Sequence, residues 1–214
     1  MPEAFAISRL DRIDDRGHGL LAELLTAAQA EGAAVVADAL LQEFGSLARV
    51  LCADTFAHQR VVGQHPEVLQ CLTLIKRAML HALETEAAQS PLLSNTKAVL
   101  DYLHIAMAHQ AREQVHALFL DNSQRLIRAE VTSEGSVASS AIYPREVMRR
   151  ALELGATGLI IAHNHPSGNL QPSREDIQIT RALVEAGRSL EVAVHDHLII
   201  ARTGHTSLRA LGFI

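Results

Sequence analysis

The chain has no tryptophan, and aromatic residues make up only 3% of it. Stacking of bases on aromatic rings therefore has little to draw on. It has two cysteines, Cys52 and Cys71, which form neither a disulfide framework nor a CxxC metal pair. Both lie in helical-looking apolar stretches and read as reduced thiols. No apolar run approaches the ~20 residues of a membrane span. The first residues, Met-Pro-Glu-Ala-Phe-Ala, lack the basic segment and apolar core of a signal peptide. A cytoplasmic protein with no membrane partner is expected. A basic excess is missing as well. Residues 1–90 carry seven Lys and Arg against twelve Asp and Glu, and residues 91–214 carry twelve of each. Neither part has the charge of a protein held to nucleic acid mainly through phosphates.

What is present is apolar surface, 48% of 214 residues, enough for one or two folded domains. The first ~85 residues read as all-helical. Leu20, Leu21, Leu24 and Leu25 share a helical face, as do Val35, Val36, Ala39, Leu40 and Leu41. Gly45 is a helix stop, and Gly63-Gln64-His65-Pro66 a turn with Pro66 opening the next helix. Residues 86–95 are the expected linker, with Pro91 as breaker and Ser94 or Asn95 capping a helix that runs to about His109. The expected domains are 1–90 and 91–214.

After Glu113 the period changes. Gln114–Leu120 and Arg125–Glu130 read as a hairpin about Asp121-Asn122-Ser123, with a further strand around Val137–Ile142. Pro144 to about Leu154 reads as a helix closed by Gly155. Thr157–His163 is a nearly continuous apolar run, the mark of a strand buried on both faces. A helix over Ser173–Gly187 and a strand over Val192–Ala201 complete a mixed sheet with helices packed against it.

The chemistry concentrates in residues 163–176, His-Asn-His-Pro-Ser-Gly-Asn-Leu-Gln-Pro-Ser-Arg-Glu-Asp. At a strand end, His163 and His165 point to one face, since side chains alternate. Asp176 falls in the first turn of the next helix. Two imidazoles and a carboxylate are a donor set for Zn²⁺ with one position open to water, though other first-row metals bind such sets. Ser173 and Asp176 also fit a capping box, which needs no metal. Gly168 is expected to adopt a backbone shape closed to other residues. Asn164 points to the opposite face and reads as structural. His195 and His197 share a strand face as a lesser candidate pair, and Asp196 and His197 read as buried polar or supporting contacts.

The spacing of His163, His165, Ser173 and Asp176 resembles the JAMM (MPN+) metalloprotease motif. The fuller His-Asn-His-Pro-Ser-Gly string, with Tyr143-Pro-Arg-Glu146 and Asp196-His197, resembles the RadC family over residues 97–214. The resemblance implies an α+β JAB/MPN-type fold, a curved mixed sheet flanked by helices with cytidine-deaminase-like layering, after a small helical domain. It implies Zn²⁺ on His163, His165 and Asp176. It implies a glutamate directly before the first strand as general base, here Glu113, with Glu130, Glu134 and Glu146 as rivals, and Ser173 stabilising an oxyanion. The implied reaction is hydrolysis of a peptide or isopeptide-like amide in a peptide or protein substrate.

The N-terminal part resembles the helix-hairpin-helix module of RadC proteins through Leu-Leu-Ala-Glu-Leu-Leu and Leu-Leu-Gln-Glu-Phe-Gly-Ser-Leu. The second glycine of the hairpin is absent from Val62-Gly63-Gln64-His65-Pro66, and the balance is acidic. Both count against direct DNA contact. A degenerate hairpin serving protein contacts or a homo-oligomer is an equal reading. The alternative function is a DNA-repair-associated factor that binds nucleic acid or protein with little protease activity.

Overall fold

A computed structural model describes residues 7–63, 65–89, 91, 96–134 and 142–214. The chain divides into two compact units, Met1–Met79 and Leu80–Ile214.

The first unit is helical: α1 (Ile7–Ala27), α2 (Ala33–Phe44), α3 (Leu47–Cys52), α4 (Thr55–Val62) and the start of α5 (Pro66–Gln89). Leu21, Leu25, Leu40, Val50, Val68 and Leu72 form its core. Gly45 closes α2 in the left-handed region at φ 81°, its N–H donating to the Leu41 carbonyl. Ser46 and Asp54 cap α3 and α4 by accepting from the Arg49 and Ala57 amides. Cys52 and Cys71 are free thiols.

The second unit holds α6 (Thr96–Met107), β1 (Gln114–Leu120), β2 (Leu126–Glu134), α7 (Pro144–Glu153), β3 (Gly158–Asn164), α8 (Arg174–Ser189), β4 (Ala193–Ala201) and β5 (Gly204–Ser207). The strands order as β2-β1-β3-β4-β5. β1 is antiparallel to β2 and β3, β3 is parallel to β4, and β4 is antiparallel to β5. Every residue of β3 is buried. Its alternating side chains feed two cores. Leu118, Leu120, Ile160, Ala162, Leu198 and Ile200 pack with α6 residues Val99, Leu103 and Met107. Val115, Ala117, Phe119, Leu159 and Ile161 pack on the other face with Val147, Met148 and Ala151 of α7 and Leu183 of α8.

Several expectations change. Residues 86–89 are helical, because α5 runs on to Gln89. Glu84–Gln89 is a string of helix-compatible residues, and Ala87 is buried in the core, so Pro91 acts only after the helix has ended. β2 extends to Glu134, and β5 is an additional edge strand. Ser94, Asn95 and most of the strand expected at Val137–Ile142 lie outside the described residues, as does Gln64.

Candidate metal centre

β3 ends in His163-Asn164, and the chain stays beside β4 for one residue more, the His165 amide donating to the Ile200 carbonyl at 2.9 Å. It then turns, with the Gly168 amide donating to the His165 carbonyl at 3.0 Å. Gly168 sits at φ 83°, a region that disfavours a β-carbon. The strand fixes His163, and the turn fixes His165.

α8 supplies the third group. Ser173 caps the helix: its hydroxyl accepts from the Asp176 amide at 3.0 Å, and the Asp176 carboxylate accepts from the Ser173 amide at 2.7 Å. The capping box and the ligand reading of Asp176 are therefore compatible. The Ser173 amide and hydroxyl both engage Oδ2. Oδ1 stands 3.3 Å from His163 Nε2, and Oδ2 stands 3.8 Å from His165 Nε2.

The imidazoles meet at their Nε2 atoms, 2.9 Å apart. His165 Nδ1 lies 2.6 Å from the Asn169 carbonyl oxygen. A carbonyl oxygen only accepts, so Nδ1 carries the hydrogen and Nε2 the lone pair. One donor atom from each of His163, His165 and Asp176 lies within 4.8 Å of the others. Ligands about 2 Å from a tetrahedral Zn²⁺ stand about 3.3 Å apart, close to the spacings here. Among the described residues, no other group of three His, Cys, Asp or Glu side chains comes so close.

The electrostatics fit a cation. Burial pushes His163 down to about 4, with the neighbouring His165 ring acting the same way and the Asp176 carboxylate opposing it. His163 is therefore neutral at pH 7, and its contact with Asp176 is no ion pair there. For Asp176, burial acts upward, but His163 and the Ser173 hydrogen bonds outweigh it and hold the carboxyl below its usual range. An anion facing imidazole lone pairs is a repulsive set unless a positive charge lies among them. The residues present suit a divalent cation.

Glu113 stands apart from this group of three. It precedes β1 by one residue and is half-buried. Val115 pairs with His163, which sets the end of β1 that Glu113 precedes against the end of β3 that carries His163. Asn164, on the reverse face, brackets the segment: its Oδ1 accepts from the Gln114 amide at 2.7 Å and its Nδ2 donates to the Arg112 carbonyl at 3.0 Å. The rivals are engaged elsewhere. Glu130 accepts two bonds from Arg150, and Glu146 pairs with Arg145 and Arg149 on α7. The side chain of Glu134 lies outside the described residues.

His197 joins the site from β4 as a supporting ring, its Nε2 2.8 Å from His163 Nδ1. His195 does not join it; this half-buried ring lies against Gly158. Asp196 ties down the C-terminal segment, accepting from Ser207 Oγ at 2.6 Å and the Arg209 amide at 3.1 Å. The residue that spacing alone did not single out is Thr180. It is buried one turn after Asp176, 2.6 Å from His197 Nδ1. The available signal was the i, i+4 relation to Asp176, which places both on one helix face.

Residues 93–213 match the family model of the RadC-like JAB domain. The chain belongs to the RadC family. The RadC-like domain thus covers α6 through β5, and with them the five strands among the described residues, His163, His165, Ser173, Asp176 and Glu113. No helix among the described residues is long and apolar enough to cross a membrane.

Proposed function

We propose that the protein is a zinc-dependent hydrolase that cleaves a peptide or isopeptide-like amide bond. The observation that carries this reading is the convergence of His163, His165 and Asp176, whose donor atoms lie within 4.8 Å of one another. When bound there, Zn²⁺ polarises a substrate carbonyl and makes water a nucleophile near neutral pH. The protein does the rest. His163 and His165 present lone pairs, and Asp176 adds negative charge. Glu113 accepts the proton of the attacking water and passes it to the leaving nitrogen. Ser173, held at the N-terminus of α8, turns its hydroxyl hydrogen from Asp176 Oδ2 to the developing oxyanion. The hydrogen bonds of Asn164 to the Arg112 carbonyl and the Gln114 amide, on either side of Glu113, support this role by holding that stretch of backbone. The free thiols of Cys52 and Cys71 suit a cytoplasmic setting.

A test separates metal from chemistry. Wild type and Glu113→Gln are purified, zinc is measured, and both are incubated with a mixed peptide and isopeptide library. Equal zinc in the two, with cleavage lowered at least about 100-fold in the variant, is expected. Equal cleavage by both removes Glu113 from its role.

A second reading, a DNA-repair-associated binding factor, draws support from Gly63, which closes α4 at φ 55° shortly before α5 begins at Pro66. Electrophoretic mobility of duplex, forked and single-stranded DNA tests it. A shift that weakens steeply with salt supports this reading, and no shift at low salt removes direct DNA binding.

A further inference from the structure

Thr180 Oγ1 lies 2.5 Å from the Asp176 main-chain carbonyl oxygen and 2.6 Å from His197 Nδ1. A hydroxyl has one hydrogen. A carbonyl oxygen cannot donate, and two oxygens at this distance repel unless a hydrogen lies between them. The Thr180 hydrogen therefore points to Asp176. His197 Nδ1 must then bear its own hydrogen and donate to Thr180. That leaves His197 Nε2 as an acceptor, 2.8 Å from His163 Nδ1, which donates to it. His163 is left with its lone pair on Nε2, the atom that faces His165 and Asp176.

We propose that Thr180 and His197 are positioning residues that lock His163 in the one tautomer able to bind a divalent cation through Nε2. The proposal rests on the reading that His163, His165 and Asp176 hold zinc. The direction of every bond in the relay is set from one end by a main-chain carbonyl, which cannot reverse. The same carbonyl belongs to Asp176, so one helical turn supplies both a ligand and the lock on its neighbour. His165 has its own lock, the Asn169 carbonyl, and so does not depend on the relay. Thr180, His163 and His197 are all buried, where water cannot easily replace a missing partner.

Two measurements test this. The first is zinc affinity by competition with a chromophoric chelator, for wild type, Thr180→Val and Thr180→Ser. Valine keeps the shape and loses the hydroxyl, while serine keeps the hydroxyl. The expected result is a 10- to 100-fold weaker affinity for Thr180→Val, the range for lost supporting contacts, and near wild-type affinity for Thr180→Ser. The second is nitrogen-15 NMR of the imidazoles in metal-free wild type at pH 7.5, which needs no variant to fold. Both His163 and His197 are expected to carry hydrogen on Nδ1. Equal affinity of wild type and Thr180→Val overturns the relay while leaving the zinc ligands in place, as does hydrogen on Nε2 of His197. A wild type that takes up no zinc overturns the metal reading, and the proposal with it.

Discussion

At the scale of single residues, His163 and His197 give the metal-free protein a pH dependence of known sign. Burial lowers His163 to about 4 and His197 to about 3, against an ordinary 6.5. An unfolded chain takes up a proton on each ring below about pH 6.5, and the folded chain does not until far lower. Stability is therefore full above about pH 6.5 and falls as pH drops from there toward 4, by about 1.4 kcal/mol per unit for each ring. Urea unfolding of chelator-treated protein at pH 7.5 and pH 5 reads this directly. A loss of roughly 2–4 kcal/mol is expected, and a shallower one in His197→Asn. An unchanged midpoint contradicts the buried neutral pair. The meeting of His163, His165 and Asp176 was legible in the sequence, because two histidines two apart at a strand end face one way and Asp176 falls in the first turn of the next helix. Thr180 was not, since its partner His197 lies on β4 and only the parallel pairing with β3 brings it near.

At the scale of elements, α8 illustrates how context reverses a propensity. Gly187 lies inside this helix, and replacing an interior helical glycine by alanine ordinarily stabilises a protein by about 1 kcal/mol. Here an added β-carbon would stand 2.3 Å from the Val192 carbonyl oxygen. The Val192 amide donates back to the Gly187 carbonyl at 2.9 Å, so the chain leaving α8 passes tightly over this residue. Gly187→Ala is expected to destabilise by about 1–3 kcal/mol in chemical denaturation, the cost typical of overpacking. A more stable variant contradicts this packing of α8 against the start of β4. Apolar elements were legible: β1 and β3 fall where the hairpin and the buried run placed them. β5 was not, because Gly-His-Thr-Ser carries no apolar alternation and forms only by pairing with β4. The end of α5 was not legible, because the helix-forming residues before Pro91 carry the helix on to Gln89.

At the scale of the whole molecule, the RadC-like domain concentrates the candidate chemistry in the second unit, while the first unit is a helical body with its own core. A ligand that binds only the folded state stabilises it by mass action, about 2.7 kcal/mol at a hundredfold excess over Kd. Added zinc is therefore expected to raise the melting temperature, and a chelator to reverse the gain; a melting temperature indifferent to both argues against a site formed by the fold. Elemental analysis of the purified protein beside Asp176→Ala and His163→Ala tests the zinc site itself. About one zinc per wild-type chain and far less in either variant is expected. Full zinc occupancy in both variants, or a wild type that retains none after loading, would overturn the site.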